Sequence, residues 1–145
     1  MTDQLTATDI SRVLVAEDDP HDQMLFIMAA EDADAALKLE FMPNGEEFIT
    51  ELRRMASDDA LPTMAVLDMR MPRMSGHEVL DILNDDPRIC PAEVGVFSTS
   101  HREQDVQTSL DKGAAWHEVK PSKFEELVAF IRRIDERCQE LRQHA

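Results

Sequence analysis

Four short apolar runs in this chain each lead into residues able to do chemistry. Val13–Ala16 leads into Glu17, Asp18 and Asp19, and Met64–Leu67 into Asp68. Val94–Phe97 leads into Ser98, Thr99 and Ser100, and a weaker run, Ala114–Val119, into Lys120. Carboxylates gathered in one cleft repel each other and raise one another's pKa values until a cation joins them. The candidate ligands are all oxygens, with no cysteine or histidine among them. The cation they suit is therefore hard and octahedral, Mg²⁺ or Mn²⁺. A lysine beside the acids can pair with an anion, and a hydroxyl can hydrogen-bond one. The set suits a phosphoryl group held next to a divalent cation. Taken alone, Asp68 also reads as a loop cap, a common use of aspartate.

A parallel sheet would bring these groups together. Met64–Leu67 is short, wholly apolar and flanked by Pro62 and Pro72, the pattern of a central strand buried on both faces. Leu37, Leu39, Phe41 and Met42 predict a further strand after the first. Between the strands lie helical patterns. His21–Asp32 follows Pro20, with Met24, Leu25, Met28 and Ala29 as its expected buried stripe. The next helix has Phe48, Ile49, Leu52 and Met55 as its apolar face and Asn44 as its cap. A third spans about Gly76–Asp85, with Val79, Leu80 and Leu83 inward. A fourth, about Glu103–Lys112, is poorly amphipathic, with only Val106 and Leu110 strongly apolar, and Gly113 ends it. The last runs from about Ser122 to the C-terminus, with Ser122 and Glu125 in capping-box spacing. Strands alternating with helices predict an α/β fold: a doubly wound five-stranded parallel sheet with five helices and a long C-terminal helix. In such a sheet, ligands bind at the carboxyl ends of the strands, where all four groups would lie.

At 145 residues and 43% apolar, the chain predicts one domain with an ordinary core. A formal net charge of −15 disfavours nucleic acid and anionic lipid as partners and suits a cationic surface or a divalent metal. Cys90 and Cys138, far apart, form no zinc or disulfide pattern, so free thiols in a reducing cytoplasm are expected. No signal peptide or membrane anchor is legible. Four glycines without G-x-G-x-x-G leave no dinucleotide-cradling loop.

The motif set resembles the receiver domain of two-component response regulators. An acidic pair, Glu17-Asp18, follows the first strand. Asp68 is followed by Met71-Pro72 and Gly76, Ser98 stands thirty residues on, and Lys120-Pro121 fifty-two on. The resemblance covers about residues 12–134, leaving 1–11 as a flexible arm and 135–145 as an extension of the last helix. It implies a flavodoxin-like receiver fold, and a phosphoacceptor rather than an enzyme. Asp68 would accept a phosphoryl group from a histidine kinase. Glu17, Asp18, Asp68 and the backbone carbonyl of Arg70 would hold Mg²⁺ or Mn²⁺. Lys120 would pair with a phosphoryl oxygen, and Ser98 would move to hydrogen-bond it. Asp19 matches no ligand position and reads as a solvated acid or helix cap.

Three departures stand out. His117 occupies a position where the family usually has a switching Tyr or Phe ring, and is expected, with Ser98, to take that switching role. Glu118 replaces a common apolar residue in the last strand, which an edge strand tolerates. Arg70 lies two residues after Asp68, where its side chain would line the entrance. No effector domain is expected after it, and output is expected through the chain's own surface. On the last helix, Phe124, Leu127, Val128 and Ile131 predict a core stripe. Phe130, Ile134, Cys138 and Leu141 predict a second, exposed stripe and a homodimer built on it. The single-domain form with a long last helix is similar to response regulators paired with phytochrome-type light-sensing kinases. An alternative is a receiver-like adaptor that works without phosphorylation. A haloacid-dehalogenase-type phosphatase needs a second Asp at position 70, which is Arg.

Overall fold

The structure, a computed structural model, describes residues 9–100 and 102–144. Ten elements alternate along the chain: β1 (Ser11–Ala16), α1 (Pro20–Asp32), β2 (Leu37–Met42), α2 (Gly45–Ser57), β3 (Met64–Leu67), α3 (Gly76–Asp85), β4 (Glu93–Ser98), α4 (Glu103–Asp111), β5 (Trp116–Val119) and α5 (Phe124–Gln143). A short 3₁₀ turn, Pro87–Ile89, precedes β4. The five strands form one sheet in the order β2-β1-β3-β4-β5, every neighbouring pair parallel. The chain winds outward from β1 to β2 and back through β3 in the other direction. The reversal between β1 and β3 opens a crevice at their carboxyl ends.

Strand alternation divides the core in two. Leu14, Ala16, Ala65, Leu67, Val94 and Val96 face α2 and α3, whose Phe48, Leu52, Met55, Val79 and Leu80 cover them. Val13, Val15, Met64, Val66 and Phe97 face α1 and α5. There Phe26 meets Phe41, Phe97 and Phe130 edge-on, and Phe97 stacks on Phe130. The helix starts are capped where the sequence offers an acceptor: Asp19 for α1, Asn44 for α2 and Ser75 for α3.

Five expectations need correction. The buried face of α1 is Phe26, Ala29 and Ala30, while Met24 and Met28 are 61% and 48% exposed. Residues 24–30 are all apolar, so periodicity could not set the rotation of this helix; insertion of Phe26 into the aromatic cluster does. The second stripe of α5 is not exposed. Phe130, Ile134 and Cys138 are buried and Leu141 is packed beside them, because α5 lies on the sheet and against α1 together. Phe130, Ile134 and Cys138 belong to the core and offer no dimer surface, Leu141 is half-buried at its edge, and Phe124, expected in the core stripe, is exposed. The Ser122 capping box does not form: α5 begins at Phe124 after Lys123, with no side-chain cap. Ser11, expected in the arm, is buried and opens β1 by pairing with Leu37. Residues 1–8 of that arm lie outside the described residues.

Candidate functional site

β1 and β3 are adjacent and in register, with Ala16 opposite Leu67. The residues that follow them therefore emerge side by side. The Asp68 amide donates to the Ala16 carbonyl at 3.2 Å, carrying the pairing one step past the strand. Glu17 and Asp68 are 5% and 8% exposed, and Asp18 is open to solvent. One carboxylate oxygen from each of Glu17, Asp18 and Asp68 lies within 4.8 Å of the others. The strand ends thus assemble the three acids into one cluster.

Lys120 enters from the end of β5, its amide donating to the Ser98 carbonyl at 2.8 Å. Its Nζ donates to Glu17 Oε1 at 2.7 Å and to Asp68 Oδ2 at 2.8 Å, with Asp22 3.6 Å away. The other Asp68 oxygen, Oδ1, accepts from the Arg70 amide at 3.0 Å. Each oxygen of Asp68 therefore has a donor of its own, so the carboxylate is oriented before any ligand arrives. Glu17 is fixed as well: Oε2 accepts from the Asp19 amide at 3.2 Å, and Gln23 donates to its backbone carbonyl at 2.7 Å.

The electrostatics follow from this packing. Burial pushes the Glu17 carboxyl above its ordinary value, although Lys120 pulls the other way. Burial alone would lower the Lys120 ammonium, but its bonds to Asp68 and Glu17 more than reverse this and raise it. Lys120 stays charged as the counter-ion of two buried acids. The donor set, three carboxylate oxygens with one face open at Asp18, fits a hard divalent cation. Glu17, Asp18 and Asp68 would hold it.

The loop after Asp68 is seated by close backbone approach. A Cβ on Gly76 would lie 2.9 Å from the Asp68 carbonyl oxygen, and one on Gly45 would collide with the Met74 carbonyl. The start of α2 thereby supports the loop from the far side.

The remaining predicted residues fall as follows. Ser98 is fully buried at the end of β4, its Oγ accepting from the Ser100 amide at 3.3 Å. Arg70 is exposed at the mouth. Asp19 accepts from the His21 amide at 2.9 Å and acts as a helix cap. His117 sits on β5 opposite Val96, bonded to the residues after β4 and to α4 instead of to the acids. Glu118, on the edge strand, pairs with Arg133 of α5. Sequence reasoning passed over Asp22 and Ser109. Asp22 had a signal, lying three residues after the cap on a helix that starts at the site. Ser109 had only its place between Val106 and Leu110; it is the buried residue of α4, while Leu110 is exposed.

Comparison with known proteins gives one consistent result. The model of the response regulator receiver domain matches residues 13–132. A curated relative, named Probable methanogenesis regulatory protein FilR2, from Methanothrix harundinacea, is 30% identical over 92% of this chain and 87% of its own. The chain spans 49% of the length of a DNA-binding response regulator from Mycolicibacterium smegmatis, MtrA, that it also matches. Among solved structures, response regulator RPA3017 in red light signaling of R. palustris is 28% identical, with a TM-score of 0.78 over 86% of this chain and 91% of that one. The phosphorylated cyanobacterial phytochrome response regulator RcpA shares the fold at 24% identity, with a TM-score of 0.76 over 88% and 92%. With a five-stranded parallel sheet and an oriented aspartate at its switch point, the chain belongs to the response regulator receiver domain family of two-component systems.

Proposed function

We propose that this chain is a phosphoacceptor response regulator, phosphorylated on Asp68 by a sensor histidine kinase in a Mg²⁺-dependent reaction. One observation carries the reading: Asp68 stands in an acidic cluster with both oxygens held, one by Lys120 and one by the Arg70 amide. A carboxylate oxygen attacks phosphorus, the bond to the kinase's histidine nitrogen breaks, and an acyl phosphate forms. When bound, the divalent cation would neutralise charge on the transferring oxygens. Its protein ligands would be Glu17, Asp18, Asp68 and the Arg70 carbonyl. Lys120 leaves its bond to Asp68 and pairs with a phosphoryl oxygen, remaining charged throughout. Ser98 moves toward the same group and donates a hydrogen bond to it.

A kinase partner is supported by an apolar face beside the site. Met24, Ile27 and Met28 lie at helical spacing on α1, which begins directly after the acidic run, and all three are exposed. The proposed input is a phytochrome-type kinase, supported by the likeness to RPA3017, named for red light signaling. Output through the chain's own surface is likewise proposed. Two free thiols suit the cytoplasm, and the charge of −15 argues against direct nucleic-acid binding. No helix among the described residues is long and apolar enough to cross a membrane.

The test is intact mass after incubation with acetyl phosphate and Mg²⁺, beside Asp68→Asn. One phosphoryl adduct on the wild type and none on the variant is expected. An adduct that persists in Asp68→Asn would contradict the reading.

A further inference from the structure

The ring of His117 is held at both nitrogens. Nδ1 lies 2.8 Å from Ser109 Oγ, and Nε2 lies 3.1 Å from the Ser100 carbonyl oxygen. A carbonyl only accepts, so Nε2 carries a proton. Ser109 is fully buried in α4, and its hydroxyl also reaches the Val106 carbonyl at 2.9 Å. Its single proton goes either to His117 Nδ1 or to Val106, and in the second case Nδ1 donates to Ser109. Either arrangement satisfies the ring at both ends.

The far end of this arrangement is the Ser98 hydroxyl. Ser100, whose carbonyl His117 holds, donates its amide to Ser98 Oγ, and its own hydroxyl donates to Asp105 of α4. Two sets of hydrogen bonds joined by the backbone of Ser100 therefore link α4 to the end of β4: Ser109 to His117 to the Ser100 carbonyl, and the Ser100 amide to Ser98. Through Ser100, α4 and β5 thus reach the hydroxyl expected to meet the phosphoryl group. An aromatic hydrocarbon ring at position 117 could not do this, since it offers no donor to Ser100 and no second atom to Ser109.

We propose that Ser109 is a positioning residue: it fixes His117, which holds the Ser100 carbonyl and so, through the Ser100 Cα, the amide that keeps the Ser98 hydroxyl at rest until these bonds open. The proposal rests on the reading of Asp68 as phosphoacceptor and Ser98 as a phosphoryl ligand, and assigns the regulation of that site. Phosphorylation must stretch the Ser100–Ser98 bond as Ser98 moves. A bond that holds the resting position opposes that movement, so removing it favours the phosphorylated arrangement.

The test uses the full chain with Ser109→Ala, His117→Phe and the double variant. The first readout is amide exchange at Ser100, which needs no phosphoryl chemistry. The second is the affinity for beryllofluoride with Mg²⁺, as a stand-in for the phosphoryl group. Loss of one hydrogen bond of about 1 kcal/mol corresponds to about fivefold. Ser109→Ala is expected to speed Ser100 exchange and tighten beryllofluoride binding about fivefold, and His117→Phe at least as much. The double variant should match His117→Phe alone, since Ser109 acts through that ring. Effects that multiply, or Ser109→Ala unchanged within about twofold in Ser100 exchange, would overturn the proposal. If the wild type binds no beryllofluoride, the phosphoacceptor reading fails, and Ser100 exchange decides the positioning role by itself.

Discussion

Lys120 should be worth more to the stability of the metal-free protein than an ordinary surface lysine. Its ammonium lies 2.7 Å from Glu17 and 2.8 Å from Asp68, and its side chain is 14% exposed. Lys120→Met removes that charge while keeping most of the chain's volume, and leaves two buried carboxylates facing each other. Breaking a buried pair from one side costs about 3–5 kcal/mol. At an unfolding entropy of about 2.1 cal/mol/K per residue, 145 residues turn about 3 kcal/mol into a fall of about 10 °C in Tm. The assay is thermal unfolding in EDTA at neutral pH, followed by circular dichroism. Two features separate this mechanism from lost packing. Mg²⁺ should restore much of the loss, because it supplies the missing positive charge. Acid should shrink the loss too, since a carboxylate whose folded pKa is raised destabilises only when ionised, and burial already raises Glu17. A Tm within about 2 °C of the wild type in EDTA, well below the shift expected of a broken buried pair, would refute the reasoning.

Other expectations follow from the same geometry. Because the Glu17 carboxyl is raised above its usual range, Mg²⁺ affinity should weaken on lowering the pH from neutrality at values where an ordinary glutamate would still be ionised; calorimetric titration should show this dependence flattened in Glu17→Gln. Gly45→Ala should slow adduct formation from acetyl phosphate and lower stability by about 1–3 kcal/mol, since its Cβ would press on Met74 in the loop that follows Asp68. Cys138 is fully buried and its thiol is pushed up to about 12 by desolvation, so a thiol reagent should modify Cys90 alone in the folded protein and both cysteines in urea.

The parts of the fold legible in the sequence are those set by short-range physics. Four apolar residues before Asp68 can only be a buried strand at that length, and parallel strands send their carboxyl ends to one edge. Asp19 and Asn44 were legible as caps because the acceptor sits where the helix leaves its amides open. The rotation of α1 was not legible: residues 24–30 are apolar on every side, and only contact with the aromatic cluster chooses Phe26 over Met24 and Met28. On α5 both stripes were visible, but whether one helix face or two is covered depends on α1 lying beside it, which no local pattern records. At the site, Lys120 and Asp68 were legible from residue type and strand ends. The role of Ser109 was not, because a lone serine in a weakly amphipathic helix carries no signal until His117 is placed against it.

The most direct test of the central claim locates the phosphoryl group. After reaction with acetyl phosphate and Mg²⁺, borohydride reduction converts an acyl-phosphorylated aspartate to homoserine, which peptide mass spectrometry can place. Homoserine at position 68 alone, absent when EDTA replaces Mg²⁺, is the predicted result. Homoserine at position 18 or 22 instead, or an equal yield at position 68 without metal, would contradict it.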